Sequence, residues 1–216
     1  MSDTFDRHYK KYDAWYDRNK YAFLSELKAI KKVLPQNKKG LEIGVGTGRF
    51  AASLGIKCGV DPSGNMLKIA KTRGIDVRRA SGERLPFERD VFDYVAIIIA
   101  LCFVKDPIKV LIEAKRVLKP RGKVIIGIID KDSFLGKFYQ HKKSLFYKRA
   151  RFFAVQEVVN LLKMSGFGRA QCYQTISKFP DKMIVVEKPK KGFGKCGFVV
   201  ISAKKKYVKL NKFTHC

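Results

Sequence analysis

Three glycines at alternate positions, Gly44, Gly46 and Gly48 in LEIGVGTGRF, follow an apolar run, and a carboxylate, Glu42, stands two residues before the first. A strand that turns abruptly into a helix leaves unpaired N–H groups at the helix start, and glycines let a ligand approach that backbone closely; together they cradle polar groups. The dinucleotide fingerprint G-x-G-x-x-G would place its third glycine at position 49, where this chain has Arg49, so G-x-G-x-G points to another ligand. Nineteen residues after Glu42, Asp61 ends a second apolar run, the place from which a carboxylate accepts hydrogen bonds from ribose hydroxyls. Further on, Ser81-Gly82-Glu83 forms a small-residue loop able to meet an adenine edge through main-chain or hydroxyl hydrogen bonds.

Such residues meet only if strands and helices alternate to bring them to one edge. Helical spacing predicts helices over 5–19 and 21–34, the second with Leu24, Leu27, Ile30 and Leu34 as its apolar stripe and Pro35 as its stop. Strands are predicted over 40–44, 57–61, 75–79, 92–99 and 123–129. Helices are expected from Gly48 and over 64–73, 107–118 and 155–164, with β-rich segments over 169–176 and 197–203. Val110, Leu111, Ala114, Val117 and Leu118 give the 107–118 helix an apolar face. Apolar strands separated by amphipathic helices imply an α/β, doubly wound, mostly parallel sheet covered on both faces. The domain reading is an N-terminal helical cap over 1–36 and a main domain over 37–205. A lid insertion, aromatic and basic by turns, occupies 130–153, and a basic tail covers 206–216.

At 216 residues and 46% apolar composition the chain suits one such domain. The polar N-terminus has no apolar core of a signal peptide, so a cytoplasmic protein is expected. The longest apolar run, 95–104, is about half the length of a bilayer-spanning helix, and no membrane span is expected. Five scattered cysteines, Cys58, Cys102, Cys172, Cys196 and Cys216, lack C-x-x-C spacing and read as free, mostly buried thiols, with no metal site. The net charge of +27 attracts polyanions, RNA among them, although the cations are spread along the whole chain rather than gathered in one block.

LEIGVGTG, VDPS, SGERLPF, FDYV and EAKRVLKPRG resemble the successive motifs of class I S-adenosylmethionine-dependent methyltransferases, most of all the quinone and sterol methylating subgroup. The resemblance covers 40–129. It implies a seven-stranded Rossmann-like sheet and S-adenosylmethionine as cofactor. It places Gly44, Gly46, Gly48 and their backbone at the methionine part, Glu42 at its amino group, and Asp61 with Pro62 at the ribose. It puts Met66 against the adenine, Ser81, Gly82 and Glu83 at the adenine edge, and Ile99, Ala100 and Leu101 at the pocket floor. Two positions depart from the family pattern: Ser81 stands where Asp is common, and Arg121-Gly122 replaces Gly-Gly. Each residue also has a structural reading, since Glu42 can end a strand, Asp61 can begin a turn, and Met66 fits a core stripe with Ile69 and Ala70.

Methyl transfer from a sulfonium requires alignment and exclusion of water more than a catalytic triad. A general base serves only an acceptor that carries a proton, and Tyr9, Tyr12, Tyr16, His8 and His141 are candidates by residue type. Rings in the N-terminal segment can line an acceptor pocket and attract a sulfonium. Cys102, in LCFVKDP, lacks the Pro-Cys pairing of pyrimidine C5 methylation and reads as packing. The Asn/Asp-Pro-Pro-aromatic signature of exocyclic-amine methylation of nucleic acids is also absent after residue 99. A small-molecule acceptor is therefore the first expectation and RNA the second, with FYKRARFF as platform; a basic protein that binds the cofactor or RNA without turnover is the third.

Overall fold

The computed structural model describes residues 2–142 and 144–206. The expected tail therefore lies outside the described residues apart from Lys206, and so does Cys216. Three helices come first, α1 (Ser2–Arg7), α2 (Tyr9–Arg18) and α3 (Lys20–Lys31). Then follow β1 (Gly40–Ile43), α4 (Arg49–Leu54), β2 (Cys58–Asp61), α5 (Gly64–Thr72), β3 (Asp76–Arg79), β4 (Phe92–Ile98), α6 (Pro107–Val117) and β5 (Leu118–Ile129). The chain continues through α7 (Phe134–His141), α8 (Val155–Met164), β6 (Gln171–Thr175), β7 (Lys190–Lys191) and β8 (Phe198–Lys204).

The strands form one sheet in the order β3-β2-β1-β4-β5-β8-β6-β7. Strands β1 to β5 pair in parallel, whereas β8 runs antiparallel to both β5 and β6. Seven of these strands match the expected sheet; the eighth, β7, is a two-residue edge where the lysine-rich loop pairs Lys191 with Tyr173. Alternate residues of the central strands fill two cores. Leu41, Ile43, Val95, Ile97, Val124 and Ile126 meet the α6 and α8 side, and Ala96, Ile98 and Ile125 meet the α3, α4 and α5 side. The apolar stripe of α6 is fully buried as its spacing requires.

The strand order reverses between β1 and β4, and a crevice opens beyond the carboxyl ends of those neighbours, where open α/β sheets hold ligands. Two local differences from the expected elements bear on that crevice. The single helix expected over 5–19 breaks at His8, because α1 swings to set Phe5 against Phe103 and Phe146, at ring separations of 4.8 and 5.4 Å. Along α3, Leu24 is 43% exposed, and the buried face carries Ala22, Ser25, Glu26, Leu27, Ala29 and Ile30.

Candidate active site

The glycine turn leaves β1 with Gly44, Gly46 and Gly48 all at positive φ, and Gly48 caps α4. A side chain at Gly44 would be impossible: its Cβ would stand 2.4 Å from that of Ala100. At Gly46 the same test finds only Met66 Sδ at 3.7 Å and the Tyr12 ring at 3.9 Å, so the backbone there lies open toward those two side chains. Asp61, at the end of β2, accepts from the Gly46 N–H at 3.0 Å and from the Ser63 N–H at 2.9 Å. Burial raises its carboxyl above the ordinary range while these amides oppose the rise. Glu42 is 1% exposed and its Oε2 has no hydrogen-bond partner; burial pushes its carboxyl well up.

The other expected cofactor residues gather around the same crevice with different attachments. Met66 is buried in the first turn of α5, whose start is capped by Ser63 through the Met66 N–H at 3.2 Å. Pro62 is exposed, and its carbonyl accepts from Arg79 Nε at 3.0 Å. Ser81 is exposed, whereas Gly82 is buried because a Cβ there would meet Ile43 at 2.8 Å. Glu83 turns to the loop before α6 and accepts from the Lys105 N–H at 2.9 Å. Ile99 holds φ +51, a region that β-branched residues seldom enter, with its N–H donating to the Gly127 carbonyl at 2.8 Å. Leu101 is buried just after it.

The N-terminal helices close over this crevice. Asp6 of α1 accepts from Ser63 Oγ at 2.6 Å and from the Asn65 N–H at 3.0 Å, fastening α1 to the start of α5. Asp13 of α2 takes paired hydrogen bonds from both Arg49 and Arg73, and Arg49 also grips Asp17. Burial opposes ionisation of Asp13, but the two guanidiniums outweigh it and hold the carboxyl well below the usual carboxylate range. Behind α2 lies a cavity of about 360 Å³. Tyr12, Trp15, Tyr16, Tyr139, Phe146 and Tyr147 wall it with rings, and Ile99, next to the Ala100 that packs on Gly44, also lines it. The hydroxyls of Tyr12 and Tyr16 lie 2.8 Å apart.

Tyr12 and Tyr16 are thus brought together beside the crevice, and the remaining base candidates are not. His141 is exposed at the end of α7, its Nδ1 2.8 Å from the Lys137 carbonyl, and does not line the cavity. His8 is exposed at the break between α1 and α2, and Tyr9 is half-buried outside the cavity wall. Cys102 points its thiol at the Ile99 carbonyl, 3.7 Å away, and desolvation pushes it up to about 12, so it stays a thiol. The other described cysteines are free; Cys196 is buried, while Cys58 and Cys172 are half-buried rather than buried as expected. Glu26 was missed by the sequence reading. It is 4% exposed, lines the ring-walled cavity, and has an Oε2 without a partner. The available signal was its place four residues after Ala22 and four before Ile30, on the buried row of α3.

A glycine turn, an acidic end to β2 and a lid of helices over the β1/β4 crevice define a nucleoside-binding Rossmann-like enzyme fold. Residues 41–126 match the family described as "Methyltransferase domain". An S-adenosylmethionine-dependent methyltransferase from Thermotoga maritima, described as a possible histamine N-methyltransferase, superposes with a TM-score of 0.93 at 43% identity, over 95% of this chain and 100% of that one. An uncharacterized protein of Methanocaldococcus jannaschii is 51% identical over 94% of this chain and 99% of its own length. The demethylmenaquinone methyltransferase of Bacillus cereus is 28% identical over 79% and 88%. The chain belongs to the class I S-adenosylmethionine-dependent methyltransferases. The crevice suits that cofactor, with an open backbone at Gly46 and an unpartnered carboxylate oxygen at Glu42. Among the described residues no helix is long and apolar enough to cross a membrane.

Proposed function

We propose that this enzyme methylates a small molecule held in the ring-walled cavity. The observation that carries the reading is the cavity itself. Its volume, about 360 Å³, falls in the range of small-ligand pockets, and Tyr12 lines it while standing beside Gly46 of the glycine turn. On this reading the backbone from Gly44 to Gly48 and Glu42 bind the methionine part, Asp61 and Pro62 the ribose, and Met66 with Ser81, Gly82 and Glu83 the adenine. Ile99 and Leu101 form the floor. Asp61 keeps lone pairs for ribose hydroxyls beyond the two amides it already serves. When bound, S-adenosylmethionine supplies a methyl carbon on a cationic sulfur that an in-line nucleophile can displace. Tyr12 and Tyr16 orient the acceptor toward that carbon, offer ring faces to the positive charge, and exclude water.

The rings of FYKRARFF favour a small acceptor over RNA. Phe146 and Tyr147 face the cavity and Phe152 and Phe153 are buried, with Arg151 laid over the Phe153 ring, so the rings of this segment are taken up within the protein and Lys148 and Arg149 stand exposed. The test supplies methyl-labelled S-adenosylmethionine to the purified protein with a panel of small acceptors and, separately, with total RNA. Label is expected in low-mass products, with turnover reduced in both Tyr12→Phe and Tyr16→Ala. Label confined to RNA, or full turnover in both variants, would overturn the proposal. Calorimetry should show Asp61→Ala weakening S-adenosylmethionine binding by roughly ten- to a hundredfold, the loss of charge-assisted hydrogen bonds.

A further inference from the structure

We propose that the acceptor is an amine and that Glu26 is the carboxylate that binds its nitrogen and takes its proton. This inference rests on the small-molecule reading above. Glu26 projects from the middle of α3 among apolar neighbours, and nothing in the packing of the helix uses its charge. Buried carboxylates are ordinarily paired with a cation or saturated with donors. Here Oε2 has no partner, and among the described residues no lysine or arginine forms an ion pair with Glu26. At the cap Arg49 is engaged with Asp13 and Asp17 and Arg73 with Asp13, and among the described ion pairs none joins Lys11, Arg18 or Lys142 of the cavity lining to Glu26. A partner for Glu26 must therefore come from inside the cavity.

The walls specify what that partner is. Tyr12 and Tyr16 on α2, Tyr139 on α7 and Tyr147 in the turn at 147–149 all feel the charge of Glu26, and burial first, with that charge added, raises each phenol. The phenols stay neutral, so they present ring faces and hydroxyls rather than a competing anion. Lys11, Arg18 and Lys142 are the other charged residues of the cavity lining. One carboxylate within a set of aromatic faces is the arrangement that holds an alkylammonium or imidazolium. A neutral alcohol or thioether would bring no charge to favour the ionised form of this carboxyl.

The chemistry requires the same group. An ammonium has no lone pair to attack with, so a proton must leave the nitrogen first. The ammonium N–H bond breaks, its electrons stay on nitrogen, and the proton goes to a Glu26 oxygen. The amine lone pair then forms the N–C bond as the C–S bond breaks, and that pair of electrons remains on sulfur. The positive charge passes from sulfur to the methylated nitrogen, and Glu26 returns its proton to water after release. Burial pushes the Glu26 carboxyl up to about 8, so the empty cavity holds it protonated at neutral pH; a bound ammonium favours its ionised form, and that carboxylate then receives the ammonium proton.

The experiment compares 2-phenylethylamine and histamine with 2-phenylethanol and phenol, using wild type, Glu26→Gln and Glu26→Asp and methyl-labelled S-adenosylmethionine. Wild type should label the amines and leave the alcohol and phenol unlabelled. Glu26→Gln should bind S-adenosylmethionine with unchanged affinity and melt no lower than wild type, yet lose about a hundredfold in kcat/KM at pH 7. That loss should shrink toward pH 10, where the amine arrives without its extra proton, and Glu26→Asp should restore part of the activity. Label on the alcohol or phenol alone overturns the amine assignment and leaves the small-molecule reading intact. No transfer to any of these acceptors, with label going instead to total RNA supplied in a parallel reaction, overturns both. A loss in Glu26→Gln that is the same at pH 7 and pH 10 removes Glu26 as the base.

Discussion

Replacing Glu26 with glutamine keeps the shape of the side chain and abolishes its ionisation, which makes the cost of this buried acid measurable without substrate. In the folded protein the carboxyl is pushed up to about 8 by burial, against 4.5 for an ordinary glutamate. Below 4.5 the folded and unfolded chains both hold the proton, so the group adds no pH dependence. Between 4.5 and 8 only the folded chain holds it; unfolding releases a proton, and stability falls as pH rises. Above 8 the loss is complete. At 1.36 kcal/mol per pH unit the interval amounts to about 5 kcal/mol, a large part of the stability of a domain this size. Glutamine has no such slope. Urea denaturation of both proteins at pH 5, 6, 7 and 8, without cofactor or acceptor, should show Glu26→Gln gaining on wild type by several kcal/mol across the series. Glu42 and Asp61, also raised by burial, are common to both proteins and cancel in the difference. A difference that stays constant with pH would refute the idea that Glu26 titrates in a dry, unpaired setting.

Asp13→Asn should destabilise the protein by about 2 kcal/mol at neutral pH, since it leaves Arg49 and Arg73 without their shared carboxylate; as pH falls through the depressed Asp13 titration, wild type should lose the same advantage in denaturation curves. Gly44→Ala forces a Cβ to within 2.4 Å of the Ala100 Cβ at φ +72, so calorimetry should find S-adenosylmethionine binding lost and the melting temperature lowered by several degrees. Arg121 sits at φ +62, a region where a side chain is strained and glycine is not. Arg121→Gly should therefore raise stability by about 0.5–1 kcal/mol by urea denaturation, with methyl transfer unchanged.

How much of this was legible in the sequence divides along a physical line. Contacts between neighbours in the chain, or between strand ends that the βα alternation forces together, could be read directly. The glycine turn, the Asp61 position and the apolar stripe of α6 are of that kind, because backbone conformation and helical spacing fix them locally. Contacts made across the fold could not be read. The break at His8 follows from Phe5 and Asp6 reaching residues 57 or more positions away. Glu83 is expected at the adenine edge; that its carboxylate also ties down the N–H groups before α6 is something no local pattern encodes. Glu26 is the instructive failure: a charged residue in a lysine-rich amphipathic helix is assigned to solvent by composition, and only its spacing from Ala22 and Ile30 argues otherwise. The partner that justifies its burial, on our proposal, belongs to the substrate and so is absent from the sequence altogether.

Helix α2 ties the two halves of the site together. One of its faces reaches the glycine turn, with Tyr12 beside Gly46 and Asp13 clamped to Arg49 at the start of α4 and Arg73 at the end of α5. Its neighbouring turn reaches the ring-walled cavity, the acceptor site on our proposal, where the Tyr16 and Tyr12 hydroxyls share a hydrogen bond and Tyr16 lies within the influence of Glu26. Because Tyr12 belongs to both sets, a displacement of α2 that admits one ligand must alter the wall presented to the other. The clamp at Asp13 opposes such a displacement, and the four-residue spacing from Tyr12 to Tyr16 transmits it as a rigid helical turn. On our proposal the glycine turn and the ring-walled cavity are therefore linked through a single helix, and Asp13→Asn should weaken S-adenosylmethionine binding in calorimetry as well as lower stability.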